Sequence, residues 1–108
     1  MVYTIEQLKE RITPVAEKHR LRAVWVFGSY ARNEANENSD VDLLIDRTDS
    51  MVHTLFHMGG VYNDLTDVVN KKIGLITTVG LAQESTKEMS PDLPANVHNE
   101  RKLLYERQ

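Results

Sequence analysis

The sequence predicts an α/β fold, because strand and helix patterns alternate along the chain. Three short runs rich in β-branched and aliphatic residues end at turn residues, as buried strands do: RAVWVFG, VDLLID and IGLIT. The segments between them are polar or have apolar residues at the three-to-four-residue period of an amphipathic helix. Because 108 residues is the length of one domain, we expect a single domain over residues 1–108.

The first element is predicted to be a helix that begins after Thr4. Thr4 followed by Gln7 forms a capping-box pattern, and four apolar residues then recur at helical spacing: Ile5, Leu8, Ile12 and Val15. Pro14 falls inside this pattern, and a proline in a helix removes a backbone hydrogen bond. The sequence therefore predicts that Pro14 interrupts or kinks the helix. The strand RAVWVFG comes next and ends at Gly28.

The later elements keep the same alternation. The strand VDLLID precedes the segment TLFHMGGVYNDLTDVVNKK, which has a mostly helical period weakened by Gly59 and Gly60. The strand IGLIT comes next, and two prolines mark SPDLPANV as a loop. The tail from about Asn96 to Arg107 is predicted to be a helix, with four residues near one face: Val97, Arg101, Leu104 and Tyr105.

Composition argues against several classes of protein. With 41% hydrophobic and 27% charged residues, the chain is typical of a soluble globular domain. No apolar run approaches the roughly 18 residues of a membrane span, and the charged N-terminal segment is unlike a signal peptide. The absence of cysteine excludes disulfides and thiolate metal sites, and a net charge of -3 argues against direct nucleic-acid binding. We expect a cytoplasmic protein that binds neither membranes nor nucleic acid.

The polar segment between the first two strands contains a candidate anion-binding turn. It reads GSYARNEANENSDVDLLID from residue 28 to residue 46. Gly28 and Ser29 close the first strand, where backbone amides can converge on an anion and a serine hydroxyl adds one more donor. Glycine has no Cβ, so a phosphate can approach the backbone closely. Because a Gly-Ser pair alone is more often a plain turn, the prediction needs support from the second strand.

Two aspartates stand at the start of that second strand. Asp40 and Asp42 are two residues apart, so their side chains point to the same side of the strand. Two such carboxylates repel each other unless a cation lies between them, and Mg²⁺ prefers carboxylate and phosphate oxygens as ligands. A solvated strand edge is the alternative. Together with the Gly-Ser turn, the pair predicts nucleotidyl transfer, whose chemistry is mostly positioning and charge neutralisation.

The same segment resembles the GS-x10-DxD signature of the DNA polymerase beta nucleotidyltransferase superfamily. The chain is similar in particular to the minimal nucleotidyltransferase (MNT) proteins, and the resemblance covers nearly its whole length: the leading amphipathic helix, AVWVFGSYAR, SDVDLLID, KKIGLITTVGL and ERKLLYE. It implies a nucleotidyltransferase fold of the α+β type, with a small mixed β-sheet and helices packed mainly on one face.

The resemblance also implies a function. Many MNT proteins are antitoxins that transfer AMP from ATP onto a tyrosine of a HEPN-domain ribonuclease toxin, with Mg²⁺ or Mn²⁺ as cofactor, and we expect a hetero-oligomer with that toxin. The implied nucleotide-binding residues are Gly28, Ser29, Arg32 and Ser39, and the implied catalytic metal ligands are Asp40 and Asp42. Arg32 would steady phosphate or pair with a nearby glutamate, and Ser39 would chiefly shape the turn.

One position departs from the family pattern. Active relatives often carry a third metal-binding carboxylate on the next strand, within a pattern resembling VDLV, whereas this chain reads IGLI with Gly74 at that position. The third carboxylate also acts as a base toward the attacking hydroxyl. Asp64 or Asp67 could replace it in principle, but both lie on a predicted helix and are expected to face solvent. Two functions stay open: an adenylyltransferase antitoxin, or a binding-only antitoxin with a weak or vestigial nucleotide site. A small-molecule transferase is disfavoured, because such enzymes usually carry a further helical domain.

Overall fold

The computed structural model describes residues 2–82 and 93–108. These residues form helices and strands in the order α1 (Ile5–His19), β1 (Ala23–Phe27), α2 (Gly28–Ala31), β2 (Val41–Asp46), α3 (Leu55–Val69), β3 (Ile73–Thr77), α4 (Thr78–Ala82), α5 (Leu93–Glu100) and β4 (Lys102–Glu106). No helix within these ranges is both long enough and apolar enough to cross a membrane.

The strands form one mixed sheet in the order β3-β2-β1-β4, which confirms the predicted fold class. Strand β1 is antiparallel to both β2 and β4, while β2 and β3 run parallel. In this register Phe27 lies opposite Asp42, and Asp42 lies opposite Gly74. The C-terminal end of β1 therefore meets the N-terminal ends of β2 and β3 at one edge of the sheet.

Helix α1 begins at the predicted capping box. The Thr4 hydroxyl oxygen accepts from the Gln7 amide at 3.1 Å, and the Thr4 amide donates to Gln7 Oε1 at 2.8 Å. Pro14 does not end the helix, which continues to His19, so the expected interruption is wrong. Pro14 and Glu10 both lie on the exposed face, where the Glu10 carbonyl that loses its helical donor can bond to water.

The C-terminal segment differs from the prediction of one helix from about Asn96 to Arg107. The tail is not one helix, because α5 ends at Glu100 and residues Lys102–Glu106 form strand β4 against β1. The local spacing of apolar residues indicated a helix there. The pairing with the backbone of β1, distant in sequence, overrides that local pattern. The predicted loop SPDLPANV is wrong from Leu93 onward, where α5 begins, and its first three residues lie outside the described ranges.

Both faces of the sheet carry apolar clusters of different size. The larger cluster joins the sheet to helices α1 and α3, and its β2 members are Val41, Leu43 and Ile45. The smaller cluster, on the other face, is formed by Leu44, Leu81 and Val97 with partly buried Trp25, Phe27 and Ile76. The two long helices therefore share one face of the sheet, as predicted, and the short helices α4 and α5 partly cover the other.

Polar contacts fasten α1 to α3. Asp64 Oδ2 lies 2.9 Å from Lys18 Nζ and 2.8 Å from His19 Nε2, and the buried Tyr3 hydroxyl donates to the Val69 carbonyl at 2.6 Å. Asp64 was expected to face solvent, but it is paired with the end of α1. Hydrogen bonds from Lys18 and then His19 hold the pKa of Asp64 below its usual value.

We expect Asp64→Asn to reduce stability in a pH-dependent way. Because the pKa of Asp64 is lowered on folding, its ionised form stabilises the fold above the ordinary pKa of 3.8 and loses that effect as the pH falls through the lower folded pKa. Urea unfolding should give a loss of about 0.5 kcal/mol at pH 7 that shrinks toward zero near pH 3. Asp67→Asn, an exposed position on the same helix, is the control. An equal loss at both pH values would show that charge pairing is not the cause.

Candidate functional site

A cleft of about 490 Å³ opens at the sheet edge where β1 ends and β2 begins. Its lining residues are Phe27, Gly28, Ser29, Arg32, Ser39, Asp40, Asp42, Asn96 and Glu100. All six site residues predicted from the sequence are among them, so the fold brings them together around one space. The sequence interpretation gave no role to Asn96 and Glu100, which come from α5, although Glu100 begins the segment ERKLLYE that carries part of the resemblance.

The turn at Gly28 strongly favours glycine. Its φ is +71°, in the left-handed region that side chains disfavour, and a Cβ added to it would overlap Asp42 Oδ2. The contact is a result of the register, because Phe27 pairs with Asp42 and the next residue turns over that carboxylate. The turn thus places a backbone amide and a carboxylate at the same point of the cleft.

The two aspartates place like charges close together at the mouth of the cleft. Asp42 is half-buried on β2, while Asp40 is exposed just before the strand. Burial, followed by the negative charge of Asp40, raises the pKa of Asp42, and Arg32 opposes this only in part. Two carboxylates that repel each other at the mouth of a cleft are an all-oxygen donor set, which fits a hard divalent cation such as Mg²⁺.

Arg32 also lines the cleft and pairs with two glutamates. Its Nη1 donates to Glu100 Oε2 at 3.0 Å, and its Nε donates to Glu34 Oε2 at 3.2 Å. These hydrogen bonds, the one with Glu100 first, raise the pKa of Arg32. The other oxygen of Glu100 accepts from the Gly28 amide at 3.2 Å. Glu100 therefore bridges the Gly-Ser turn and Arg32.

Ser39 holds the loop that leads into β2. Its hydroxyl accepts from the Asn36 amide at 2.9 Å, and its own amide donates to the Asn36 carbonyl at 3.0 Å. This pair of bonds closes a tight turn directly before Asp40. The geometry matches the expectation that Ser39 shapes the turn.

Gly74 faces the aspartates from the neighbouring strand. A Cβ at this position would lie 2.7 Å from Asp42 Oδ1, so a side chain there would point at the carboxylate, as the strand alignment predicts. Asp64 is no replacement, because it is bonded to α1. Among residues 2–82 and 93–108, no group of three or more histidine, cysteine, aspartate or glutamate residues could hold a metal. At the cleft, strand β2 and the residue before it thus offer two carboxylates to a metal, Asp42 and Asp40, and β3 offers none.

Comparison of the sequence with known families agrees with this geometry. Residues 10–108 match the sequence profile of the family described as "Polymerase beta, Nucleotidyltransferase". A Methanocaldococcus jannaschii protein provisionally named protein adenylyltransferase MJ0126 is 38% identical over 72 residues, which cover 67% of this chain and 71% of that protein.

Comparison of the fold gives the same family of proteins. A solved structure provisionally described as a minimal nucleotidyltransferase is 28% identical with a TM-score of 0.68, covering 93% of this chain and 95% of the other. A second solved structure, a tri-AMPylated Shewanella oneidensis HEPN toxin in complex with an MNT antitoxin, has a TM-score of 0.64. It is 15% identical and covers 97% of this chain and 75% of that chain, a likeness of fold alone.

We expect Gly28→Ala to destabilise the protein by about 1–2 kcal/mol, because alanine is strained at a positive φ and its Cβ would displace the Asp42 carboxylate. Urea unfolding measures the change. Gly59→Ala is the matched control, since Gly59 lies within α3 with open space around its Cα. That control should gain about 0.5–1 kcal/mol from helix propensity. Similar effects of the two substitutions would contradict the special role of Gly28.

We expect Asp42→Asn to raise the metal-free melting temperature by about 1–4 °C, because it removes a half-buried charge that Asp40 repels. Added Mg²⁺ should raise the melting temperature of the wild type and change that of Asp42→Asn much less. Thermal unfolding with EDTA and with excess Mg²⁺ measures both effects, and Asp67→Asn controls for the loss of one surface charge. Equal responses of wild type and Asp42→Asn to Mg²⁺ would exclude Asp42 as a ligand.

Proposed function

Because this chain belongs to the polymerase beta nucleotidyltransferase family, we propose that it transfers AMP from ATP onto a tyrosine of a HEPN-domain toxin and acts as the antitoxin of that toxin. Two comparisons support the proposal. The Methanocaldococcus relative is named as a protein adenylyltransferase, and the Shewanella neighbour is an MNT antitoxin in complex with an AMPylated HEPN toxin.

One observation carries the proposal. The Gly28–Ser29 turn and the Asp40–Asp42 pair, which come from different strands, line the same cleft of about 490 Å³. Phosphate donors and metal ligands that line one cleft are what a nucleoside triphosphate requires. The contact between the Gly28 turn and the Asp42 carboxylate fixes these two groups relative to each other.

Each site residue has a separate role in the proposed transfer. Gly28, Ser29 and Arg32 bind the triphosphate, Ser39 holds the loop, and the carboxylates of Asp40 and Asp42 hold Mg²⁺ or Mn²⁺. The metal, when bound, neutralises phosphate charge during the transfer. In that transfer the tyrosine oxygen forms a bond to the α-phosphorus, and the bond from that phosphorus to the pyrophosphate oxygen breaks.

The tyrosine proton has no acceptor on β3. Gly74 faces Asp42 but offers no side chain, so the proton leaves to water. A positioned general base typically contributes about 10²- to 10⁴-fold to a rate, and we therefore expect slow transfer by the natural chain. The cleft is open at the sheet edge, which suits an acceptor tyrosine presented by another folded protein in a hetero-oligomer.

Gly74 also favours a second candidate function. With two carboxylates instead of three, the site can bind a nucleotide weakly or not at all, and the chain would then neutralise its toxin by binding alone. In this case occupancy of the toxin, and not AMP transfer, is the antitoxin activity. The two candidates differ in one measurable product, the AMP adduct on the toxin.

We expect wild type to add AMP to a co-purified HEPN toxin slowly in the presence of ATP and Mg²⁺, Asp42→Asn to add none, and Gly74→Asp to be about 10- to 100-fold faster than wild type. A carboxylate at position 74 supplies a base and a third oxygen ligand once Asp42 rotates away from the new Cβ. Mass spectrometry of the toxin over time measures the adduct.

Gly74→Asn is the matched control, because it has nearly the same shape as Gly74→Asp but supplies no base. Equal acceleration by Gly74→Asp and Gly74→Asn would contradict the interpretation of Gly74 as a missing base. No adduct from wild type, with the toxin still neutralised, would reject the transferase and support the binding-only antitoxin.

A further inference from the structure

Glu100 already occupies donors that a triphosphate would use. Its Oε1 accepts from the Gly28 amide at 3.2 Å, and its Oε2 accepts from Arg32 Nη1 at 3.0 Å. A carboxylate and a phosphate present similar anionic oxygens to such donors. The Gly28 amide and Arg32 Nη1 therefore already bind an anionic group, the carboxylate of Glu100 in the same chain.

The position of Glu100 is set by the packing of α5 on the sheet. Val97, one turn earlier, is fully buried beside Leu44 and Leu81. On the other side of Glu100, the guanidinium carbon of Arg101 lies 4.6 Å from the centre of the Trp25 ring, a cation–π contact. Glu100 is therefore held over the Gly-Ser turn, with its side chain only 20% exposed.

The cleft has more acidic than basic side chains, so the contacts of Glu100 with Gly28 and Arg32 affect how it can bind an anion. Arg32 is the only basic residue among the described cleft-lining residues, which also include Asp40, Asp42 and Glu100. A polyphosphate that enters the cleft competes with Glu100 for Arg32 Nη1 and the Gly28 amide, and the negative charge of Glu100 beside it repels it. Binding is therefore favoured by an exchange of one anion for another at these donors.

We propose that Glu100 is an internal competitor that occupies the phosphate-binding donors of this chain and lowers its affinity for polyphosphates. The inference rests on the proposed function for the identity of the natural ligand, the triphosphate of ATP. The apparent affinity is reduced by the fraction of molecules in which Glu100 has left the donors. A ligand with several phosphate charges displaces Glu100 more readily than a monophosphate does.

The test measures binding of inorganic tripolyphosphate, added as its magnesium complex, by calorimetry. We expect Glu100→Gln, which keeps the shape but removes the charge, to lower Kd about tenfold, and Glu100→Ala to lower it at least as much. Glu34→Gln is the matched control, because Glu34 also pairs with Arg32 but makes no bond to Gly28, and it should change Kd less than about twofold. Melting temperatures check that each variant is folded.

The amide resonance of Gly28 provides a second measurement on the wild type. It should shift as tripolyphosphate saturates the protein, since the anion replaces Glu100 at that amide. Weaker or unchanged binding by both Glu100 variants would overturn the proposal and make Glu100 a residue that positions Arg32. Tighter binding with no shift at Gly28 would overturn it too, because the anion would then lie elsewhere. Neither ATP nor toxin is present, so a failure of the proposed transfer activity would leave this result unchanged.

Discussion

The contact between the Gly28 turn and the Asp42 carboxylate is the constraint on which the site depends. Strand pairing places Phe27 opposite Asp42, so the chain must turn directly over a half-buried acidic side chain. Glycine adopts the positive φ without strain and leaves the Asp42 carboxylate in place, because it has no Cβ. The same pairing explains why a backbone amide and a carboxylate face one cleft: the site is a consequence of the β1–β2 register.

The rest of the fold holds that register in place. On one face of the sheet, helices α1 and α3 bury Val41, Leu43 and Ile45 of β2. Because side chains alternate along a strand, Asp42 must point to the other face. A slip of one residue would bury the aspartates and expose the aliphatic side chains. The larger core therefore stabilises the orientation of the carboxylates and offsets their mutual repulsion.

Much of this was predictable, because the decisive signals were local. The three strands, the capping box at Thr4, the Gly28–Ser29 turn and the Asp40–Asp42 pair were indicated by spacing within short segments, while Arg32 and Ser39 followed from the family resemblance. Strand β4 was missed because its partner β1 is about 80 residues earlier in the chain, and pairing at that distance leaves no local pattern. Glu100 was missed for the same reason, since its partners Gly28 and Arg32 lie 72 and 68 residues away. At Pro14 the opposite occurred. The proline was a strong local signal that α1 would be interrupted, but the helix continues because the carbonyl that loses its donor lies on the exposed face.

The cleft differs from the family pattern in where its third carboxylate lies. Gly74 leaves the β3 side of Asp42 without an acidic group, while Glu100 brings one to the opposite side, against Gly28 and Arg32. A carboxylate beside Asp42 would add a metal ligand and a base, whereas one on the phosphate donors competes with the substrate. The described lining of the cleft thus has three acidic groups, and on the proposals made above their placement favours weak nucleotide binding and slow transfer. In the proposed binding-only antitoxin, a lasting complex with the toxin would make both tolerable.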